Sequence, residues 1–303
     1  MKKSKILILL SLAAIAAGCA LAFAGCKPDS DHGLSHTPSR WITDTEATCT
    51  EAGSKHRECT VCGELLEQKV VSPKGHNFVG NVCSVCGVTA SEGLAYELSS
   101  DGCGYSVVGI GSCTDKDVVI PSSHQNLPVT EIGKDAFSHC GIISVALPAG
   151  VTSIGFCAFS ACFSLTSISI PEGLISIDGA AFAGCSGLTS VSLPDGLTSI
   201  GQSTFYECKG LTSLSLPESL VSIGDRAFDG CSALTSVYYK GTKAEWDEIS
   251  IGSTNEALQS ATIYYYSETK PPLNGDGTAY DGNYWRYAAD GVTPVIWKKQ
   301  TAA

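Results

Sequence analysis

The chain is poor in charge. Only 16% of its 303 residues are Asp, Glu, Lys or Arg, the net charge is -11, and no basic cluster forms along its body. Phosphate contacts need Lys and Arg, so this excludes nucleic acid as a natural partner. Catalytic signatures are missing too: there is no Walker loop, no GxSxG elbow and no HExxH. Gly109-Ile-Gly111 lacks the third glycine and the following helix of a dinucleotide loop. His124 and His139 have no metal-ligand neighbours at helical spacing, and Asn274-Gly-Asp-Gly-Thr lacks the closing Glu of a calcium loop. The carboxylates are scattered through turns, so no paired acid and base is indicated. After the first 25 residues no hydrophobic stretch is long enough to span a bilayer. Disorder is excluded as well, because hydrophobic residues make up 44% of the chain and supply a core.

What is present begins with an export pattern. Lys2, Lys3 and Lys5 precede an apolar run from Ile6 to Gly25, and the chain turns polar from Lys27. Small residues before a cysteine fit a lipoprotein-type signal over 1–25. Ala24-Gly25-Cys26 is followed by a polar tether over 26–40, which favours Cys26 as the lipid anchor. Ala17-Gly18-Cys19 is the alternative, and plain secretion or an uncleaved membrane helix are the competing readings. A lipid on Cys26 would hold the chain at a bacterial membrane, exported and at the cell surface.

The strongest signal is periodic. Phe137, Phe159, Phe182, Phe205 and Phe228 are 22, 23, 23 and 23 residues apart. Ile132, Ile154, Ile177, Ile200 and Ile223 keep that period, as do Cys140, Cys162, Cys185, Cys208 and Cys231. Such a period with Leu-rich strands marks a solenoid of parallel strands. In each unit a strand such as Leu165-Thr-Ser-Ile168-Ser-Ile170 points Leu165, Ile168 and Ile170 inward. Pro171 ends it, and Ile177 and Phe182 fill the core from the opposite side. The repeat cysteines read as small buried hydrophobes, badly aimed for disulfides between neighbours.

Strands reading Leu188-Thr-Ser-Val-Ser-Leu-Pro194, followed by Gly196-Leu-Thr-Ser-Ile-Gly201 and then Phe and Cys, resemble the BspA-like leucine-rich repeat family of bacterial surface proteins. The resemblance covers roughly residues 117–266. It implies a β-rich leucine-rich repeat solenoid and a surface adhesin or binding protein, without naming a ligand.

A cysteine-rich module over 41–90 precedes the solenoid. Cys59-Thr-Val-Cys62-Gly and Cys83-Ser-Val-Cys86-Gly are two CxxC knuckles, twenty residues apart, with the spacing of a zinc ribbon. A second partition uses His36, Cys49, Cys59 and Cys62 for one site and His76, Cys83 and Cys86 for another. Structural zinc and structural disulfides both fit. The remaining segments are a capping hairpin and first strand over 91–122, repeats over 123–240 and a C-terminal cap over 241–268. The cap contains a short helix N-capped by Thr242. A Gly/Pro linker with a small terminal hairpin covers 269–303.

The outward strand positions form a hydroxyl ladder: Thr166, Ser167 and Ser169, then Thr189, Ser190 and Ser192, then Thr212, Ser213 and Ser215. This solvates a sheet. Tyr238, Tyr264 and Tyr266 at its end are the candidate binding residues, since aromatics on a polar sheet stack on sugars or anchor a protein, and a core or cap role is the competing reading. The chain is therefore expected to be a non-enzymatic adhesion protein that recognises a protein or glycan of a host or bacterial surface. The competing reading is a structural envelope stalk with no soluble ligand.

Overall fold

The computed structural model describes residues 38–46, 53–61, 63, 65–71, 78–79, 82–267, 271, 282–287 and 294–297. Contacts divide the chain into two compact units, Met1–Ile42 with His56–Glu67, and Thr43–Lys55 with Gln68–Ala303. In the first, Pro38 bridges Cys59 antiparallel and the Ser39 N–H donates to the Glu58 carbonyl at 2.8 Å. The Arg57 guanidinium lies 5.1 Å from the centre of the Trp41 ring, a cation–π contact.

The second unit is a solenoid. One side carries the strands Asp117–Val119, Ser144–Ala146, Ser167–Ser169, Ser190–Ser192, Ser213–Leu216, Ser236–Tyr239 and Thr262–Tyr266. The other carries Tyr105–Gly109, Leu127–Ile132, Ser153–Ile154, Ser176–Ile177, Ser199–Ile200, Ser222–Ile223 and Ser250–Ile251. Pairing along each side is parallel and in repeat register: Ser144 faces Ser167, Ser190 faces Ser213, and Ile200 faces Ile223. Strand alternation sends one set of side chains in and the other out. Leu165, Leu188 and Leu211 are fully buried, as are Leu174 and Leu197 beyond the prolines and Phe182 and Phe205 across the core. Each such burial contributes about 1.5–3 kcal/mol.

The turn side is the most regular part. Phe137, Phe159, Phe182, Phe205 and Phe228 stack in one column, with ring centres 5.2–5.4 Å apart and planes within 10°. The Phe137, Phe159, Phe182 and Phe205 N–H groups donate to the carbonyls of Ala158, Ala181, Thr204 and Ala227 in the next turn, at 2.7–2.9 Å. The chain makes each turn through left-handed residues such as Ala180, Gly184, Arg226 and Gly230. The repeat thiols fit this frame. The Cys162, Cys185, Cys208 and Cys231 Sγ atoms are buried and donate to the carbonyls of Phe137, Phe159, Phe182 and Phe205 at 2.9–3.1 Å.

Ile168 and Ile170 pack against the core as expected, but burial along the inward face is uneven. Ile168 and Ile170 are only half-buried, whereas Val191 and Leu193 in the next repeat are buried. At the junction between these repeats both ladders are interrupted. Ser167–Ser169 does not pair with Ser190–Ser192, and Ser176–Ile177 does not pair with Ser199–Ile200. The Phe182–Phe205 contact across the same junction, at 5.4 Å, is intact.

Both ends are closed. Ala95–Leu98 and Tyr105–Gly109 form the N-terminal antiparallel hairpin, and the second of these strands pairs parallel with Leu127–Ile132. At the other end, helix Lys243–Asp247 starts with a capping box: the Thr242 side chain accepts from the Glu245 N–H, and the Glu245 carboxylate accepts from the Thr242 N–H. Fully buried Asn255 then substitutes for a missing repeat. Its Oδ1 accepts the Phe228 N–H at 2.9 Å, where earlier phenylalanines donate to a backbone carbonyl. Its Nδ2 donates to the Gly224 and Gly252 carbonyls. A second short helix, Glu256–Ser260, follows. The hairpin expected past the linker joins the solenoid itself, because Tyr284–Tyr287 pairs parallel with Thr262–Tyr266 and antiparallel with Pro294–Ile296.

Candidate binding face and cysteine knuckles

Register places the outward side chains of the strand side in rows. One runs Ser190, Ser213, Ser236, Thr262; the next runs Ser192, Ser215, Tyr238, Tyr264. The threonines one residue before each strand are satisfied by the sheet: the Thr212 hydroxyl donates to the Thr189 carbonyl at 3.0 Å and that of Thr235 to Thr212 at 3.3 Å. The serine rows face outward.

The aromatic end of this face is tightly built. Tyr238 and Tyr264 stack with centres 5.5 Å apart and planes 19° from parallel. Trp285 meets the edges of Tyr238, Tyr266 and Tyr287 at 4.9–5.5 Å. It is 1% exposed, and its Nε1 donates to the Tyr239 carbonyl at 2.9 Å. Tyr238, Tyr264 and Tyr266 thus share the outward face, while Tyr239 points into the core and meets Trp246 at 5.3 Å. Burial raises the Tyr238 phenol pKa, with neighbouring Tyr264 adding to the rise.

A charged pair borders the cluster. Lys240 Nζ lies 2.6 Å from Asp195 Oδ1. Burial pulls the Lys240 pKa down, but Tyr287 and Asp195 outweigh it and hold the ammonium above its ordinary value. Burial raises the Tyr287 phenol, with Lys240 opposing. Trp285, Tyr287 and Lys240 lie outside the sequence expectation. Their signal was weak, because the aromatic run Tyr284–Tyr287 follows a Gly/Pro-rich stretch and keeps no register with the 23-residue period.

The knuckles share one local geometry. The Gly63 N–H donates to the Cys59 carbonyl at 2.8 Å and the Gly87 N–H to the Cys83 carbonyl at 2.9 Å. Both glycines are left-handed, φ +72° and +75°, and a Cβ on either would meet nothing within 4 Å. Backbone angle therefore demands glycine there, not lack of space. Cys59 and Cys83 are buried and Cys86 is exposed. The two knuckles fall in different compact units. Val82 bridges Thr89, and Ser91 then exchanges hydrogen bonds with Val119 at 2.8 and 3.0 Å, which joins the second knuckle to the first solenoid strand. Cys62, His36, Cys49, His76, Cys19 and Cys26 lie outside the described residues. Among the described residues no group of three or more His, Cys, Asp or Glu gathers to hold a metal, and no helix is long and apolar enough to cross a membrane.

Residues 130–255 match the family model of the BspA type leucine rich repeat region, in six copies. The solenoid has the leucine-rich repeat fold, and its repeats are similar to those of the BspA type. Solved structures similar to the chain include the T. pallidum leucine-rich repeat protein TpLRR, 29% identical, covering 59% of this chain and 86% of that one with a TM-score of 0.48. A leucine-rich cell surface protein of Faecalibacterium prausnitzii A2-165 is 32% identical over 54% of this chain and 42% of its own, with a TM-score of 0.48. The pneumococcal vaccine antigen PcpA is 21% identical over 62% and 43%, with a TM-score of 0.43. No curated protein matches the chain significantly.

Proposed function

We propose that this chain is a non-enzymatic surface-binding protein, lipid-anchored through Cys26, whose BspA-type solenoid recognises a protein or glycan on a host or neighbouring bacterium. One observation carries the reading. Tyr238, Tyr264 and Tyr266 stand on the outward face of the strand sheet and are held there by Trp285, although the core is already filled from the inward face. Aromatic side chains outside a filled core are the residues that anchor partners. The test is saturable binding of the soluble chain from Lys27 onward to cultured epithelial and bacterial cells. Binding that saturates supports the reading. A chain that only self-associates and binds neither surface makes it an envelope stalk instead.

The cysteine knuckles suit a structural metal. A buried first cysteine, a left-handed glycine and a carbonyl turned back onto its N–H recur in both, and a thiolate pair on such a turn is the half-site of a zinc ribbon. Each knuckle would supply a thiolate pair to such an ion, Cys59 with Cys62 and Cys83 with Cys86, and the ion would fold the segment that carries it. Metal counting on reduced protein, with alkylation of the thiols, decides it. Tightly held zinc and protected knuckle thiols are expected. Thiols blocked by oxidation, with no metal, would make the knuckles a disulfide framework.

A further inference from the structure

The two faces of the Tyr238 ring are not equivalent. One stacks on Tyr264. On the other side, register places Ser215 and then Ser192 on the next two strands, with side chains too short to stack on a ring. Ser190 and Ser192 are exposed, Ser213 and Ser215 half-buried. Among the described residues no protein group takes up these four hydroxyls, whereas the threonine hydroxyls beside them are committed to the sheet. The arrangement is therefore an aromatic wall above a floor of open hydroxyls. The wall is rigid, because Trp285 abuts Tyr238 and is itself pinned to the Tyr239 carbonyl.

We propose that this step is a stacking subsite for one pyranose of an uncharged glycan. It rests on the surface-binding reading above and narrows its ligand. An apolar peptide side chain laid against Tyr238 would strip water from the serine hydroxyls without replacing it. A pyranose has a C–H face for the ring and hydroxyls for the floor, so it satisfies both. Charge selects within the class. Asp195 borders the step with a side chain 65% exposed, Glu172 and Glu218 occupy the same position after the strand-ending prolines, and the whole chain carries -11. Lys240 is already engaged by Asp195. Acidic sugars are therefore disfavoured. A single stacking site binds weakly, and a surface crowded with anchored copies gains avidity.

The experiment presents a fluorescent, antibody-clustered chain from Lys27 onward to an array of neutral galactose-, glucose- and N-acetylhexosamine-ended oligosaccharides, with sialylated counterparts. Neutral members are expected to bind, at least tenfold above their sialylated forms. Tyr238→Ala should lower that signal at least tenfold, but it also loosens Trp285. The deciding variant is Ser215→Tyr, which fills the step with a ring placed as Tyr264 already is and disturbs no core residue; it should abolish the signal. Retained binding by Ser215→Tyr overturns the subsite, as does an array on which no neutral glycan binds. Equal binding to cells stripped of glycans and to untreated cells overturns the glycan inference alone. Binding to neither overturns the surface-binding reading as well.

Discussion

Each repeat has two sides that treat the same junction differently. Between the third and fourth phenylalanines of the column the turn side is unbroken: Phe182 and Phe205 stack at 5.4 Å and the Phe182 N–H reaches the Thr204 carbonyl at 2.9 Å. On the strand side both sheets stop there and resume one repeat later. The turn side is held by interdigitated rings, thiols and backbone bonds that recur at every step. The strand side is held by buried leucines such as Leu188 and Leu211 and by short ladders of two to four residues, which are interrupted once. In a solenoid, neighbour contacts carry nearly all the stability. The phenylalanine column is the part of the core that continues without a break, and the outward strand face, which fills no core, is where the proposed recognition is placed.

The largest effect that sharpens this contrast is a cavity in the column. Phe182→Ala should cost about 3–5 kcal/mol, since the ring is fully buried and its neighbours on both sides are fixed. Ile168→Ala, at the broken junction, should cost about 1–2 kcal/mol because its side chain is only partly buried. Denaturant unfolding of both variants checks the ratio, and equal costs would erase the distinction between the two sides.

The thiols give a pH test of the same claim. Burial raises all four well above the ordinary 9.0, Cys162 and Cys231 to about 12 and Cys185 and Cys208 further. The folded-state pKa values exceed the unfolded ones, so their contribution is complete below pH 9 and is lost as pH rises toward 12. Each thiol should steepen the fall by about 1.4 kcal/mol per pH unit in that window, because the unfolded chain releases a proton that the folded one keeps. Unfolding of wild type and Cys185→Ala from pH 8 to 11 should show a shallower slope in the variant. The same thiols should resist alkylation until the chain unfolds.

Smaller than the ring deletion is the effect at the C-terminal end of the column. Asn255→Ala leaves the buried Phe228 N–H without its acceptor and should cost about 1–3 kcal/mol. Calorimetry reads the loss, and an unchanged melting temperature would mean that the end needs no such closure.

Much of this was written in the sequence, for a physical reason. A repeat that stacks on itself must place the same residue at the same core position every turn, so the Phe, Ile and Cys columns appear as a 23-residue period before any coordinates exist. The outward tyrosines were legible too, because alternation along a strand fixes the face. The role of Asn255 was not, since it stands in for a backbone group and backbone leaves no sequence trace. Trp285 was hidden by the Gly/Pro-rich stretch before it, which breaks the period. The interrupted junction has no sequence signal at all: Leu165, Ile168 and Ile170 are as good a strand as their neighbours.

The most direct test of the division between a stabilising side and a recognising side is a paired surface scan. Ser192→Arg and Ser215→Arg load the outward strand face, while Gln202→Arg and Ser232→Arg load exposed positions of the turn side. Saturable binding of each purified variant to epithelial and bacterial cells is then measured against wild type. The strand-face variants should lose binding and keep wild-type melting temperatures, and the turn-side variants should keep both. Binding lost from the turn side and retained on the strand face would contradict the account.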